Sequence, residues 1–346
     1  MCNSPKELSN RQVILRDYFV GPVKDSNFEI RTTTLRLELQ EGSQDVIVKN
    51  LYLSPDPYMR NRMKGNRNSY IPPFVPGKPL NGFGVSKVVL SNNPDFNEGD
   101  YVTSWTGWED YSVIPGGKGL KAVDPVTVPL SYYVGCLGMP GFTAYVGLFE
   151  VLKPKKGEII YISAASGAVG QLVGQLAKLA GLYVVGSSGS QQKVDLLIKT
   201  MGYDAAFNYK EESDFSAALK KYCPQGIDLC FENVGGKMLE AVLDNMKTYG
   251  RIAICGMVSQ YDKDETAGTS NLSKILTSRL TVQGFLQSDY LHLQPQFIEK
   301  MVTYLKERKI VYVEDMDEGL ESAVGAFIKL LKGGNVGKQI VRVAIN

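Results

Sequence analysis

Apolar residues in the first part of the chain occur in short runs separated by Gly, Pro and Asn, with no regular helical period. This pattern is typical of short β-strands joined by turns. A polar, basic stretch at 59–70 interrupts it and indicates a loop-rich surface. The predicted strands are 12–16, 33–38, 45–53, 82–89 and 101–113.

After Pro129 the pattern changes, because apolar runs of strand length alternate with amphipathic segments of helix length. This alternation requires a parallel sheet covered by helices on both faces, as in a doubly wound fold. The predicted strands are 158–163, 182–186, 206–208, 227–231, 251–255 and 280–285. The predicted helices are 170–180, 191–201, 214–223 and 237–246.

Beyond residue 295 the pattern predicts two more helices, a strand between them and a closing strand. The helices are 296–308 and 318–331, and the strands are near 310–313 and at 339–345. The predicted fold class is therefore α/β, with a β-rich domain at 1–130 and a Rossmann-type domain at 131–295.

A glycine-containing turn joins strand 158–163 to the helix that begins at Gly170. It is a degenerate G-x-G-x-x-G motif, in which Ala165 replaces the first glycine and Gly167 and Gly170 remain. Gly167 lets the backbone approach a pyrophosphate, and the helix N-terminus offers free N–H groups. A plain tight turn is the alternative, but the βα units that follow favour dinucleotide binding. The predicted cofactor-binding residues of the turn are Ala164, Ala165, Ser166, Gly167, Ala168, Val169 and Gly170.

The end of the second strand of this domain carries the choice between NAD and NADP. An NAD site usually places Asp or Glu there to bind the ribose diol. This chain has Ser187, Ser188, Gly189 and Ser190 instead, and Lys193 follows in the next helix. Hydroxyls and a cation without a carboxylate suit a 2′-phosphate, so we predict NADP(H). A solvated lysine on the helix face is the alternative interpretation of Lys193.

Further side chains follow the carboxyl ends of the predicted parallel strands, where α/β folds bind ligands. Because these ends meet at one edge of the sheet, we predict that they contribute to the same cofactor site. Each alone would be assigned a structural role, and their shared position is what singles them out. They are Tyr209, Asn233, Cys255, Phe285, Leu286 and Gln287.

The charges of the 346 residues nearly cancel, since 38 Lys and Arg against 36 Asp and Glu leave a net charge of +2. This balance argues against nucleic acid or an anionic membrane as the main partner. No window approaches ~18 consecutive apolar residues. The polar N-terminus lacks the apolar core of a signal peptide, so we expect a cytosolic protein.

The single histidine, His292, excludes a metal site built from several imidazoles. The cysteines are scattered without a C-x-x-C pair, so we expect neither a structural zinc site nor a disulfide framework. They are Cys2, Cys136, Cys223, Cys230 and Cys255.

Eight short motifs together resemble the medium-chain dehydrogenase/reductases. Within that superfamily they resemble the zinc-independent plant NADPH-dependent alkenal double-bond reductases, relatives of leukotriene hydroxydehydrogenase/prostaglandin reductase. The resemblance extends over nearly the whole chain, although any one motif alone would be weak. The motifs are KNLYLS at 49–54, DPYMR at 56–60, LGMPG at 137–141, AASGAVGQLVGQ at 164–175, NYKEE at 208–212, FENVGG at 231–236, CGMVSQY at 255–261 and NVGKQ at 335–339.

The resemblance implies a GroES-like catalytic domain built from 1–130 and 296–346, with the active site in the cleft beside the Rossmann domain. It also implies a homodimer and a small α,β-unsaturated carbonyl substrate. The implied reaction is conjugate reduction of enals and enones, with hydroxycinnamaldehydes as one class considered. Hydride reaches the β-carbon, and the enolate is protonated at the α-carbon.

The resemblance further implies which tyrosines act. Tyr261 is the expected proton relay or carbonyl-binding hydroxyl beside the nicotinamide ribose, and Tyr58 is the second candidate. Phe83 replaces a tyrosine that many plant relatives have, so it can stack on an aromatic substrate but cannot donate a hydrogen bond to it. The cofactor contacts implied by the resemblance are Pro57, Tyr58, Tyr261 and Asn335, the substrate contacts are Tyr58, Phe83, Tyr261 and Tyr290, and Trp105 is a weaker candidate for the substrate pocket.

Zinc-dependent members of the superfamily bind their catalytic metal through Cys and His, whereas the corresponding stretch 77–83 has neither residue. We therefore expect no metal. Alcohol oxidation usually needs a metal or a base, which favours reduction of a polarised carbon–carbon double bond. A quinone oxidoreductase of the same superfamily and an NADPH-binding module without turnover remain the alternatives.

Overall fold

The computed structural model describes residues 6–263 and 268–344, and the chain forms two compact units. The first unit contains the described residues up to Gly135, together with Glu314–Gly334 and those from Gln339 onward. The second contains the described residues from Cys136 to Val313, together with Asn335–Lys338. Cys2 and Ile345, which enter the expectations above, lie outside the described residues.

The helices and strands have the following bounds. The strands are β1 (Glu7–Leu15), β2 (Phe28–Arg36), β3 (Val46–Leu53), β4 (Asn81–Ser91), β5 (Tyr101–Gly107), β6 (Tyr111–Ile114), β7 (Lys121–Ala122), β8 (Ile159–Ile162), β9 (Tyr183–Ser188), β10 (Ala205–Asn208), β11 (Ile227–Glu232), β12 (Met246–Ile254), β13 (Thr281–Gly284), β14 (Glu314–Glu318) and β15 (Lys338–Arg342). The α-helices are α1 (Met59–Arg62), α2 (Met139–Val146), α3 (Gly170–Leu179), α4 (Gln191–Lys199), α5 (Phe215–Tyr222), α6 (Gly236–Asn245), α7 (Ser273–Thr277), α8 (Gln294–Lys306) and α9 (Ala323–Leu331).

The second unit is built on a parallel sheet whose strand order, within the described residues, is β10-β9-β8-β11-β12-β13. In the order of this unit's own strands that is 3-2-1-4-5-6, so the order reverses between β8 and β11. The predicted doubly wound sheet is thereby confirmed. Ligands of such folds bind outside the carboxyl ends of the strands at this reversal.

The first unit is β-rich. Strands β1 and β2 form an antiparallel hairpin, and a larger sheet has the order β14-β15-β3-β4-β5-β7, with β6 paired to β3. Its core lies around the buried ring of Trp108, which meets Phe327 of α9 edge-on at 6.2 Å between ring centroids. The predicted β-rich domain is confirmed as a fold type.

The predicted single strand at 101–113 is wrong in one respect, because the structure divides it into β5 and β6. The backbone between them bonds elsewhere: Trp108 N donates to Leu80 O at 2.7 Å, and Asp110 N donates to Arg11 O at 3.0 Å. Residues 108–110, whose sequence resembles a strand, therefore leave the predicted strand, and their backbone bonds to Leu80 and to Arg11 of β1.

The predicted strand at 310–313 is wrong, because β14 begins only at Glu314. Two buried side chains of α3 take the place of a neighbouring strand. Gln175 bonds to Val311 N and Val311 O at 2.7 and 2.8 Å, and Gln171 bonds to Val313 N and Val313 O at 2.9 and 3.0 Å. These amides pair with the backbone of Val311 and Val313, so the segment is held in place without joining a sheet.

The second unit also extends further along the chain than the predicted boundary at 295. Helix α8 packs within it, since Phe297 contacts Phe142 and Tyr145 of α2 at ring-centroid distances of 5.2 and 5.6 Å. The helix predicted at 318–331 begins only at Ala323, because Glu318 ends β14. In the part of the chain that the structure describes, no helix combines the length and apolar character needed to cross a membrane.

The close packing of α3 on β8 generates a stability prediction. A Cβ on Gly170 would lie 2.6 Å from Ala164 O and 2.7 Å from Ala165 O, and backbone atoms cannot move aside cheaply. We expect Gly170→Ala to lower the free energy of unfolding by about 1–3 kcal/mol in urea titrations. The matched control is Gly325→Ala in α9, where a Cβ meets no atom within 4 Å; it should be neutral or stabilise by roughly 0.5–1 kcal/mol. Equal effects of the two substitutions would contradict the prediction.

Candidate active site

The turn between β8 and α3 places backbone N–H groups at the end of the central strand. Ala164 adopts a left-handed conformation with φ of +48°, and Ala165 N donates to Ser187 O at 2.9 Å. Gly167 N donates to Ala164 O at 3.0 Å, which closes the turn. Val169 is the N-cap of α3 and makes no side-chain cap. The turn therefore presents the positive end of a helix without a competing side-chain acceptor, as phosphate binding requires.

The segment that contains Asn335 lies against this turn, since Gly167 and Gly337 form an isolated parallel bridge. Asn335 is buried, and its Nδ2 donates to Gly337 O at 2.7 Å. Ser166 is also buried and Ala168 is half-buried at the same turn. The structure thus brings Asn335 to the predicted turn, where its side chain bonds to its own segment.

The end of β9 holds a buried hydroxyl that no described protein group satisfies. Ser188 is 2% exposed, and its Oγ has no hydrogen-bond partner among residues 6–263 and 268–344. Such a hydroxyl is costly to bury unless a ligand completes it. A Cβ on Gly189 would lie 3.1 Å from Tyr209 Oη and 3.3 Å from Lys210 Cε. The structure therefore brings Ser188, Gly189, Tyr209 and Lys210 together.

Lys193 lies in the first turn of α4, where Ser190 Oγ accepts from Lys193 N at 3.4 Å. Its side chain is 8% exposed, so the alternative interpretation as a solvated lysine on the helix face is wrong. Lys210, in contrast, is exposed. Ser188 is one of the hydroxyls predicted to suit a 2′-phosphate, whereas Lys210 was not predicted, although it directly follows the predicted Tyr209.

A buried carboxyl group connects the ends of β8 and β11. Glu232 is 0% exposed, and its Oε1 accepts from Val234 N at 2.5 Å, Gly235 N at 2.6 Å and Ser163 Oγ at 3.1 Å. Burial raises the pKa of Glu232, and these hydrogen bonds oppose that rise. Ser163 in turn holds Asn233, whose N donates to Ser163 Oγ at 2.8 Å and whose Nδ2 donates to Ser163 O at 2.7 Å.

Glu232 is not among the residues predicted from the sequence. The available signal was an acidic residue at the end of an apolar run, directly before the selected Asn233. Cys255 of the next strand end lies against it, with Cys255 N donating to Glu232 O at 2.9 Å. Burial raises the pKa of the Cys255 thiol to about 12, so this thiol stays protonated at neutral pH and is a poor nucleophile.

Tyr261 lies beside the same strand ends. Its Oη accepts a hydrogen bond from Met257 N at 3.3 Å. A Cβ on Gly256 would lie 3.1 Å from Tyr261 Oη and 3.5 Å from Asn233 O, so both oxygens lie close to Gly256. Burial raises the pKa of Tyr261, so its hydroxyl is protonated at neutral pH and can donate.

Three aromatic rings form a cluster within the first unit, which we call the Trp105 cluster: Tyr58, Phe83 and Trp105. The Trp105 ring meets Phe83 edge-on at 4.9 Å and Tyr58 at 6.3 Å between centroids. Tyr58 Oη is buried without a hydrogen-bond partner in the described part of the chain, and burial raises the pKa of Tyr58 well above its usual value. Pro57 is half-buried next to it. Two selected substrate residues therefore lie together with the weaker candidate Trp105.

The remaining selected residues follow β13. Phe285 meets Phe231 of β11 edge-on at 6.1 Å, and Leu286 precedes a 3-10 segment that runs from Gln287 to Leu293. Tyr290 is half-buried in that segment and stacks near His292 at 6.5 Å between ring centroids.

Metal-ligating side chains are dispersed. Across residues 6–263 and 268–344, no three His, Cys, Asp or Glu side chains come together as a metal ion would need. Cys136, Cys223 and Cys230 are buried, and none of the described cysteines forms a disulfide. The described side chains therefore do not fit a zinc site.

Comparison with known proteins identifies the family to which the chain belongs. Residues 11–123 match a family model described as the N-terminal domain of oxidoreductase, and residues 168–306 match one described as zinc-binding dehydrogenase. The NADP-dependent 2-alkenal reductase of Nicotiana tabacum is 57% identical over 98% of this chain and 99% of its own length. The chain belongs to the medium-chain dehydrogenase/reductase family.

Other members of this dehydrogenase/reductase family resemble it over nearly their whole length. The (+)-pulegone reductase of Mentha piperita is 49% identical over 97% of this chain and 98% of that protein. Prostaglandin reductase 1 of Rattus norvegicus is 40% identical over 95% of this chain and 97% of that protein. The crystal structure of CurA in complex with NADPH from Vibrio vulnificus matches with a TM-score of 0.89 at 37% identity, over 97% of this chain and 100% of that one.

The burial of Glu232 generates a prediction about pH. Because its pKa is raised on folding, the folded state is favoured below the unfolded pKa and loses stability as pH rises through the folded pKa. We expect Glu232→Gln, which cannot ionise, to gain stability relative to the wild type as pH rises from about 4 to about 8 in urea titrations. Hydrogen bonds from Ser270 lower the pKa of Glu240, so Glu240→Gln should show the opposite trend. The same slope in both variants would show that burial does not govern Glu232.

Proposed function

We propose that this protein catalyses the NADPH-dependent reduction of the carbon–carbon double bond of α,β-unsaturated aldehydes and ketones. The observation that carries the proposal is the 57% identity, over 98% of the chain, to a protein named as an NADP-dependent 2-alkenal reductase. The proposal agrees with two tyrosine hydroxyls whose raised pKa values keep them protonated at neutral pH, those of Tyr261 and Tyr58.

The residues at the carboxyl ends of β8 and β9 fit an NADP-type dinucleotide. The uncapped N-terminus of α3 suits the pyrophosphate, and the unpartnered Ser188 Oγ suits a group at the adenosine ribose. Lys193, Tyr209 and Lys210 supply two cations and a hydroxyl for a 2′-phosphate, with no carboxylate in the 187–190 segment. When bound, NADPH supplies the hydride that reduces the β-carbon.

The protein's part in the reaction is to orient the substrate, bind its carbonyl oxygen and deliver a proton. Tyr261 Oη is held by Met257 N and keeps its proton, so it is free to donate toward the substrate's developing negative charge. Glu232 and Ser163 hold Asn233 beside it, so the strand ends present a fixed amide surface to the nicotinamide.

Tyr58 is the second proton-holding group of the proposal. Its hydroxyl has no partner in the described protein, and its raised pKa keeps it a donor at neutral pH. Phe83 adds an apolar ring but no hydrogen bond, so polar recognition of the substrate falls to the two tyrosines.

The test of the function is direct. Mixing the protein with NADPH and a panel of enals, enones and quinones should oxidise NADPH, and mass spectrometry should identify carbonyl products saturated at the double bond. Oxidation with quinones alone would favour the quinone oxidoreductase. NADPH binding without turnover of any member would favour a binding module.

The role of Tyr261 generates a separate prediction. Tyr261→Phe removes the donor but keeps the ring, so kcat should fall about 10²–10⁴-fold, as for loss of a positioned acid. The dissociation constant of NADPH, measured by fluorescence titration, should change little. Tyr304→Phe, in α8, is the matched control and should leave both quantities unchanged. Unchanged kcat in Tyr261→Phe would remove Tyr261 from the mechanism.

The proposal includes a homodimer. Strand β13 pairs only with β12 among the described residues, and all four of its residues are exposed. Exposed apolar side chains lie in the same region of the second unit, including Leu272, Leu276 and Val282. An open edge of this kind invites pairing with a second copy. Light scattering should give the mass of two chains, and Val282→Lys should shift it toward one; a monomeric wild type would contradict this part.

A cytosolic location remains a prediction, which cell fractionation can test.

A further inference from the structure

Trp105 presents a large aromatic ring to solvent at a fixed orientation. Trp105, in β5, is 38% exposed, whereas Trp108, directly after that strand, is fully buried. The polar edge of the Trp105 ring is anchored, because Nε1 donates to Asn81 Oδ1 at 2.7 Å. The Phe83 ring closes one side of it edge-on at 4.9 Å.

A buried arginine holds the same anchor from behind. The guanidinium of Arg62 lies 3.8 Å from the Phe74 ring centroid and 5.2 Å from that of Trp105. It donates to Pro72 O at 3.0 Å, to Asn81 O at 2.9 Å and to Asn81 Oδ1 at 2.8 Å. Burial lowers the pKa of Arg62 to about 10, so it is still charged at neutral pH. Asn81 Oδ1 therefore accepts from both Trp105 and Arg62, which ties the indole to a rigid support.

The proposed reaction gives no role to Asn81 or Arg62. An exposed indole that served only to pack would not need a hydrogen bond to an amide that a buried arginine holds in turn. Fixing the orientation of the ring before binding removes part of the entropy that a ligand would otherwise have to overcome. Next to it lies Tyr58 Oη, buried and without a protein partner. A fixed aromatic face beside a hydrogen-bond donor suits a flat ligand that carries a polar group.

We propose that Trp105 is a specificity-determining residue that stacks on the aryl group of aryl-conjugated enals and enones, and that Asn81 and Arg62 are positioning residues for its ring. This inference rests on the proposed function. Stacking on a fixed ring favours a planar aryl group over a flexible alkyl chain of equal carbon number, because only the aryl group offers a flat π-face.

The experiment compares cinnamaldehyde with trans-2-nonenal, which has the same number of carbons. Trp105→Leu should lower kcat/KM for cinnamaldehyde about tenfold, through KM, and change that for nonenal by less than about threefold. Trp105→Phe keeps a ring and should restore most of the loss. Tyr183→Leu removes a similarly exposed ring at the start of β9 and should affect neither aldehyde. Equal losses for both aldehydes in Trp105→Leu, or no loss, would overturn the proposal.

The positioning role has its own readout. Asn81→Ala removes the side-chain anchor, so the fluorescence anisotropy of Trp105 should fall and its quenching by acrylamide should rise, with Trp108 shielded in the core. The cinnamaldehyde preference should fall with it. Asn81→Asp keeps the acceptor oxygen and should retain both signals. An Asn81→Ala variant with the preference lost and unchanged Trp105 emission would reject positioning.

Failure of the proposed function gives a different result. If the wild type, saturated with NADPH, reduces neither aldehyde, the function fails. The stacking surface is then judged by Trp105 emission, which cinnamyl alcohol should quench and nonenol should not. Absence of that difference would overturn the stacking proposal independently.

Discussion

The close approach of α3 to the turn that follows β8 and to the ring of Tyr203 is the constraint on which the second unit depends. It requires the absence of a side chain at two positions: at Gly170, where the helix meets Ala164 O, and at Gly174, where it meets the Tyr203 ring. Tyr203 then locks the contact, because its Oη donates to Gly170 O at 2.8 Å. As a result the helix N-terminus lies at the end of the central strand, and its dipole points at the place where phosphate groups bind in this fold.

Several buried polar side chains elsewhere also hold the chain in place, because they bond to backbone groups that no strand or helix pairs. Gln171 and Gln175 pair with the extended segment before β14, and Glu232 accepts from the loop after β11. In the first unit the buried Arg62 donates to Pro72 O and Asn81 O. Each buried polar group is costly unless it is bonded. Because each is bonded, it holds one loop or ring in one position, and the candidate site consists of such loops and rings.

Much of the fold could be predicted from the chain. The alternation of apolar runs after Pro129 predicted the parallel sheet, because a strand and an amphipathic helix have different periods. The turn at Ala164–Gly170 was found because its glycines lie between a strand and a helix. The segment 310–313 could not be assigned correctly, since its apolar pattern is that of a strand, while its partners, Gln171 and Gln175, lie far away in the sequence.

The candidate site likewise contains residues that could be predicted from the sequence and residues that could not. Asn233 and Tyr209 were found because they follow strands, and strand ends of a parallel sheet share an edge. Glu232 and Arg62 were not predicted, because an acidic residue after an apolar run and an arginine in a polar stretch do not by themselves reveal burial or hydrogen-bond partners.

The sequence by itself determined the order of strands and helices, the glycine-containing turn between β8 and α3 and the absence of a multi-histidine metal site, since these depend on local period, glycine spacing and residue counts. Only the tertiary structure decided which polar groups are buried, which of them lack a protein partner and which aromatic ring is held facing solvent. Burial and hydrogen bonding depend on residues that are distant in the chain, as in the bond from Trp105 to Asn81, and local sequence does not encode such pairings.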